Sequence, residues 1–126
     1  MQRSLLFSGR TAGFSFLAAG IALLALAGCH STPPSKPLSE LTPMEMRGYA
    51  VFQSHCAVCH YANREAALRG PGLQGLFKKK YLHSGAPAND DRVRAAILHG
   101  RGVMPAFGNV LDDQQVQDLL AYLHTL

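Results

Sequence analysis

The sequence predicts an all-α domain of three to four helices with long connections between them. Two capping-box signatures and a closing amphipathic run mark helices, and no alternating run of four to eight residues offers a strand pair. The chain has 126 residues, 48% of them hydrophobic and only 16% charged, which allows one small domain. A purely apolar core is modest at that size, so a bound group can complete it.

The elements follow in chain order. Arg3 and Arg10 precede TAGFSFLAAGIALLALAG at 11–28, a stretch without charge, so residues 1–28 have the basic and apolar regions of an export signal. They stay out of the fold. The stretch ends Leu26-Ala27-Gly28-Cys29, which resembles the lipobox of bacterial lipoproteins, where the chain is cut just before a lipidated cysteine. An uncleaved anchor helix competes with that reading, because 18 uncharged residues lie near the lower limit for spanning a bilayer. Either way the domain is tethered outside the cytoplasm, and two or more acyl chains on Cys29 would make the attachment stable.

Residues 29–41 are then the lipidated cysteine and a linker, HSTPPSKPLSEL at 30–41. Pro33, Pro34 and Pro37 favour polyproline II, so twelve residues at ~3.1 Å each could hold the domain roughly 35–40 Å from the lipid. A strap packed on the domain is the alternative.

The domain itself spans 42–126. Thr42-Pro43-Met44-Glu45 has the capping-box spacing with proline at the first helical position, so a helix starts here and is expected to run to about Cys59. Gly48, Phe52 and Cys56 recur every four residues and share one face. Residues 61–89 are loop-rich, with turns marked by RGPGLQG at 69–75. Asp90 or Asp91 can cap a second helix with Val93, Ala96 and Ile97 inward, and Gly100 stops it. Asp112 and Gln115 open the last helix, whose Val116, Leu119, Leu120 and Leu123 follow the i, i+3, i+4, i+7 pattern.

Charge and cysteine usage exclude two classes. The formal charge is +4, but Arg3 and Arg10 belong to the leader, and ten basic against eight acidic residues beyond it are too few and too scattered for a nucleic-acid footprint. Three cysteines do not make a disulfide scaffold when two of them sit together in CAVCH and the third is Cys29.

Cys56-Ala57-Val58-Cys59-His60 is the C-x-x-C-H pattern of covalent haem attachment. Two cysteines three apart on a helix lie one turn apart on the same face, within reach of both vinyl groups of one haem, and the adjacent histidine can turn its ring to the iron. Cys56 and Cys59 are therefore the candidate thioethers of one haem c, and His60 the candidate axial ligand. A structural zinc site would need a second Cys or His pair at matching spacing, and a dithiol redox pair a βαβ pattern; the chain has neither.

Met104 is the candidate for the second axial position. It lies in HGRGVMPAFG at 99–108, a glycine-rich loop between two helices that can wrap to the opposite face of the porphyrin. A thioether is a soft ligand that favours reduced iron. His83, His99 or an open position remain alternatives. Met44 and Met46 fit a core-filling role, and His55, beside Cys56, is expected to point away from the iron.

With these motifs in place the chain resembles class I cytochromes c of the small bacterial monohaem type, over residues 43–126. The resemblance rests on GYAVF and CAVCH at 48–60, Gly70-Pro71-Gly72-Leu73, Val103-Met104-Pro105-Ala106-Phe107, and the closing helix with Leu119, Leu120, Tyr122 and Leu123. It implies the cytochrome c fold around one covalent haem, with first and last helices crossing at Gly48 and Phe52 meeting Tyr122. It also implies that the Pro71 carbonyl accepts from His60 Nδ1, fixing the tautomer that binds iron through Nε2. No propionate partner is selected among Arg69, Lys80 and Tyr81. Lys78-Lys79-Lys80 is a dense basic run that suits steering or a plain solvated loop.

The expected function is single-electron transfer between respiratory or dehydrogenase partners, by a monomer held through its lipid on the periplasmic side of the cell envelope, with no substrate chemistry and no nucleic acid. A haem enzyme or gas sensor with a displaceable sixth ligand is one alternative. A dedicated cytochrome subunit of an oxidase or dehydrogenase complex is another.

Overall fold

The computed structural model describes residues 32–126; the expected leader 1–28 and Cys29 lie outside the described residues. Three α-helices carry the domain: α1 (Pro43–His55), α2 (Asp90–His99) and α3 (Asp113–Leu123), with short 3₁₀ turns at Leu38–Glu40 and Leu76–Lys78. Among the described residues the only extended pairings are isolated bridges, Tyr81 with Pro87 and Arg101 with Met104.

Local chemistry sets the helix ends. The Thr42 side chain accepts from the Glu45 amide while the Glu45 carboxylate accepts from the Thr42 amide at 2.7 Å, closing a capping box at α1. Asp112 and Gln115 repeat the device on α3. At α2 the cap is Asn89, which accepts from the Arg92 amide at 3.0 Å. Asp90 and Asp91, expected as caps, instead occupy the first turn, where their charge suits the helix dipole.

The expected helix to Cys59 is shorter. It ends at His55 because the Phe52 carbonyl takes both the Cys56 amide (2.8 Å) and the Ala57 amide (3.0 Å), widening the chain into turns over residues 56–59.

The core lies between α1 and α3, with Val93 and Ile97 of α2 closing it. Phe52, Val116, Leu119 and Leu126 are fully buried, and each such side chain contributes about 1.5–3 kcal/mol of transfer free energy. Phe52 and Tyr122 rings meet at 5.5 Å between centroids. Beside them Arg47 clamps the buried Asp118 carboxylate bidentately, Nε to Oδ2 at 2.7 Å and Nη2 to Oδ1 at 3.0 Å, and Gln114 donates a third bond at 3.1 Å. The guanidinium holds that carboxyl below its ordinary range.

Residues 32–41 lie along the domain as a strap. The Lys36 amide donates to the Thr125 carbonyl at 2.8 Å, and its ammonium reaches Glu45 at 2.8 Å. Of the two readings of this segment, free polyproline spacer or packed strap, its described part takes the second, because backbone and side-chain partners meet it along its length.

Candidate haem-binding site

The widened turn after α1 sets Cys56 and Cys59 on one wall of a cleft of about 990 Å³. His60 follows, its amide bonded to the Cys56 carbonyl at 2.9 Å. The loop 69–73 is tied to the same turn: the Gly70 amide donates to the Cys59 carbonyl at 2.8 Å and the Leu73 amide to Tyr61 at 2.8 Å. This brings the Pro71 carbonyl to 2.8 Å from His60 Nδ1. A carbonyl only accepts, so Nδ1 carries the hydrogen and Nε2 keeps its lone pair. Gly70 lies against the imidazole; a β-carbon there would come within 2.8 Å of both ring nitrogens.

Another part of the lining comes from the segment after α2, which ends at His99 and is capped by Gly100 with φ +72°. Arg101 and Met104 exchange both backbone bonds at 3.0 Å across a tight turn, and Phe107 and Gly108 then return along α2 to the Ile97 and Leu98 carbonyls. Gly100 is required twice over, by its left-handed φ and because a β-carbon would sit 2.6 Å from the Met104 carbonyl oxygen. The loop thus places Met104, half-buried and packed against the core cluster, among the residues that line the cleft.

The walls between are apolar: Phe52, Leu73, Leu82, Ile97, Phe107 and Leu119 are among them. Arg69, Lys79 and Arg101 line the cleft, and among the described residues no carboxylate does. Burial, with Cys59 adding to it, pushes the Cys56 thiol up to about 11, so near neutral pH it is a thiol and not a thiolate. Neither cysteine is in a disulfide.

The donor set fits a covalently held haem. Two free thiols, an imidazole with a fixed tautomer and a thioether converge on one apolar space of a size suited to a large ligand. Among the described residues no group of three or more His, Cys, Asp or Glu side chains is placed to hold a metal ion.

The other histidines and methionines divide. His83 is exposed on the cleft lining, whereas His99 is exposed and outside it. His55, expected to point away from the iron, is half-buried and lines the cleft with its ring 5.9 Å from that of Phe107, three residues after buried Phe52 on the same face of α1. Met44 and Met46, expected to fill core gaps, are each 41% exposed on α1. Sequence reading missed the Arg47–Asp118 clamp entirely; the only signal was a basic residue on α1 and an acidic one on the buried stripe of α3.

A three-helix fold wrapped around such a cleft defines the class of small c-type cytochromes with one covalent haem. Comparison with known proteins gives the family. Residues 43–123 match the family model described as cytochrome c oxidase, cbb3-type, subunit III. Cytochrome c6 of Thermosynechococcus vestitus is 29% identical over 103 residues, covering 82% of this chain and 85% of that protein. Cytochrome c6 of Parathermosynechococcus lividus is 33% identical over 76 residues (60% and 83%), and a cytochrome c6-like protein of a Nostoc species is 32% identical over 91 residues (68% and 78%). The chain belongs to the class I cytochrome c family, as a monohaem electron carrier with one covalently bound haem c.

Proposed function

We propose that this chain is a lipid-anchored carrier of single electrons in a bacterial cell envelope, working as a monomer on the periplasmic side between respiratory or dehydrogenase partners. The observation that carries it is the convergence of Cys56, Cys59, His60 and Met104 on one cleft. When bound, haem c supplies a one-electron iron couple. The chain's own residues do the rest. Cys56 and Cys59 would hold the group as thioethers. His60, its Nδ1 hydrogen given to the Pro71 carbonyl, would offer Nε2 to the iron, and Met104 would offer its sulfur. The apolar lining would keep water away from the bound group.

The anchor rests on the basic and uncharged leader 1–28 and on Leu26-Ala27-Gly28-Cys29. No described helix is long and apolar enough to cross a membrane.

The test is the absorption spectrum of the reduced holoprotein with and without carbon monoxide. An unchanged low-spin spectrum supports two filled axial positions; a large shift would move the gas-sensor or enzyme reading to the front. A second reading, a cytochrome subunit permanently docked in an oxidase, is favoured by the description of the matching family. Co-migration with an oxidase through mild detergent extraction would select it over the free carrier.

A further inference from the structure

The strap fixes where the chain leaves the domain. Thr32, its first described residue, donates its hydroxyl to Glu65, and its methyl group covers Gly75. Gln74 Nε2 reaches the Thr32 and Pro33 carbonyls, each at 3.5 Å. Farther along, the Lys36 amide is bonded to Thr125 at 2.8 Å. The exit therefore lies on the surface made by Glu65, Gln74 and Gly75.

The basic run stands on that same surface. Lys78 closes the 3₁₀ turn that begins just after Gly75, and Lys79 Nζ lies 3.7 Å from Glu65 Oε1, the oxygen that also takes the Thr32 hydroxyl. Lys78, Lys79 and Lys80 are all exposed. Glu65 is the one carboxylate paired with the run among the described residues. From Thr32 back to Cys29 is three residues, at most about 11 Å of extended chain, against a Debye length of about 8–10 Å in physiological salt.

We infer that Lys78–Lys80 form a membrane-contact face that rests on the anionic phospholipid headgroups around the Cys29 lipid. The inference rests on the lipid-anchor reading above. Without the strap, a twelve-residue polyproline spacer would have carried these lysines several Debye lengths from the surface. With it, the Lys79 ammonium lies at the exit beside Glu65, with Lys78 and Lys80 its exposed chain neighbours, the Lys80 ammonium over the Tyr81 ring. Each lysine at such a surface strengthens partition about fivefold. Lys79 also lines the cleft, so the contact holds one lip of the cleft at headgroup level.

The experiment uses the lipidated holoprotein in phosphatidylcholine vesicles and in vesicles containing phosphatidylglycerol. A water-soluble amine-acylating reagent is added, and each lysine is followed by peptide mass spectrometry. Lys78–Lys80 should react at least about fivefold more slowly in the anionic vesicles, and the difference should vanish at high salt. Lys36, engaged with Glu45, serves as the internal reference and should not change. Equal rates in both vesicles, with the intact mass showing a diacylglycerol on Cys29, would overturn the membrane face and leave the anchor standing. An unlipidated Cys29 would overturn both. Protection that appears only after adding an acidic redox protein would assign the lysines to that protein instead, and would also overturn the inference.

Discussion

Gly48 of α1 packs directly against Tyr122 of α3: a β-carbon on the glycine would lie 2.8 Å from Tyr122 Cβ and overlap the Asp118 carbonyl. Both obstacles belong to the backbone or its first side-chain atom, so neither can swing aside. Gly48→Ala should therefore destabilise the holoprotein by about 1–3 kcal/mol through overpacking, even though alanine favours an isolated helix by up to about 1 kcal/mol. Urea unfolding followed by circular dichroism measures it. A midpoint equal to or above that of the unmodified protein would refute the close approach.

Met104→Ala should open the sixth position. The reduced variant is expected to shift its visible spectrum on adding carbon monoxide, whereas the parent does not, and its reduction potential should fall because the soft thioether is gone. A variant that stays low-spin and indifferent to carbon monoxide would pass the axial role to another residue, His83 and His55 being the other histidines on the cleft lining.

Gly100→Ala tests the loop that carries Met104. Its φ of +72° disfavours any side chain, and its β-carbon would press on the Met104 carbonyl oxygen at 2.6 Å. The strain, of order 1–3 kcal/mol, should appear as weaker methionine ligation, read as carbon monoxide binding intermediate between parent and Met104→Ala. Full carbon monoxide indifference with an unchanged melting temperature would count against the account.

The acid limb of stability should follow Asp118. Its carboxyl is held below the ordinary 3.8, first by the Arg47 hydrogen bond and further by Gln114. With the folded pKa lowered, the unfolded chain takes up the proton first. The stabilisation is therefore present above 3.8 and is lost as the pH falls through the folded value. Glu45, lowered from 4.5 chiefly by its bond to Lys36, acts with the same sign. Urea midpoints should hold steady down to about pH 4.5 and decline below it, and Arg47→Met should flatten part of that decline. Equal slopes in parent and variant would exclude the clamp as the cause.

Alkaline behaviour has the opposite sign. Burial, with Tyr49 adding to it, raises the Tyr122 phenol from 10.0 to about 12. A raised folded pKa means the native state keeps a proton that the unfolded chain gives up, so stability is complete below pH 10.0 and drains away between there and about 12. Tyr122→Phe should remove this phase in an alkaline unfolding titration; persistence of the phase would point to another group.

The sequence by itself determined whatever is encoded within a few residues. CAVCH names its chemistry through spacing alone, and Thr42 with Glu45 and Asp112 with Gln115 mark helix starts because each partner lies three positions away. The Pro71 carbonyl was legible only through resemblance, and the structure puts it 2.8 Å from His60 Nδ1. Tertiary structure decided what joins distant parts of the chain. Arg47 and Asp118 are 71 positions apart and no periodicity pairs them. The first helix stopped at His55 because one carbonyl took two amides, which no local spacing announces. The proline-rich segment, extended by its own preferences, was drawn onto the domain by partners at Glu65, Gln74 and Thr125 that local composition does not announce. Short-range bonding patterns are written in neighbouring side chains, whereas long-range pairs form only after the helices have crossed, so they are set by packing and not by spacing.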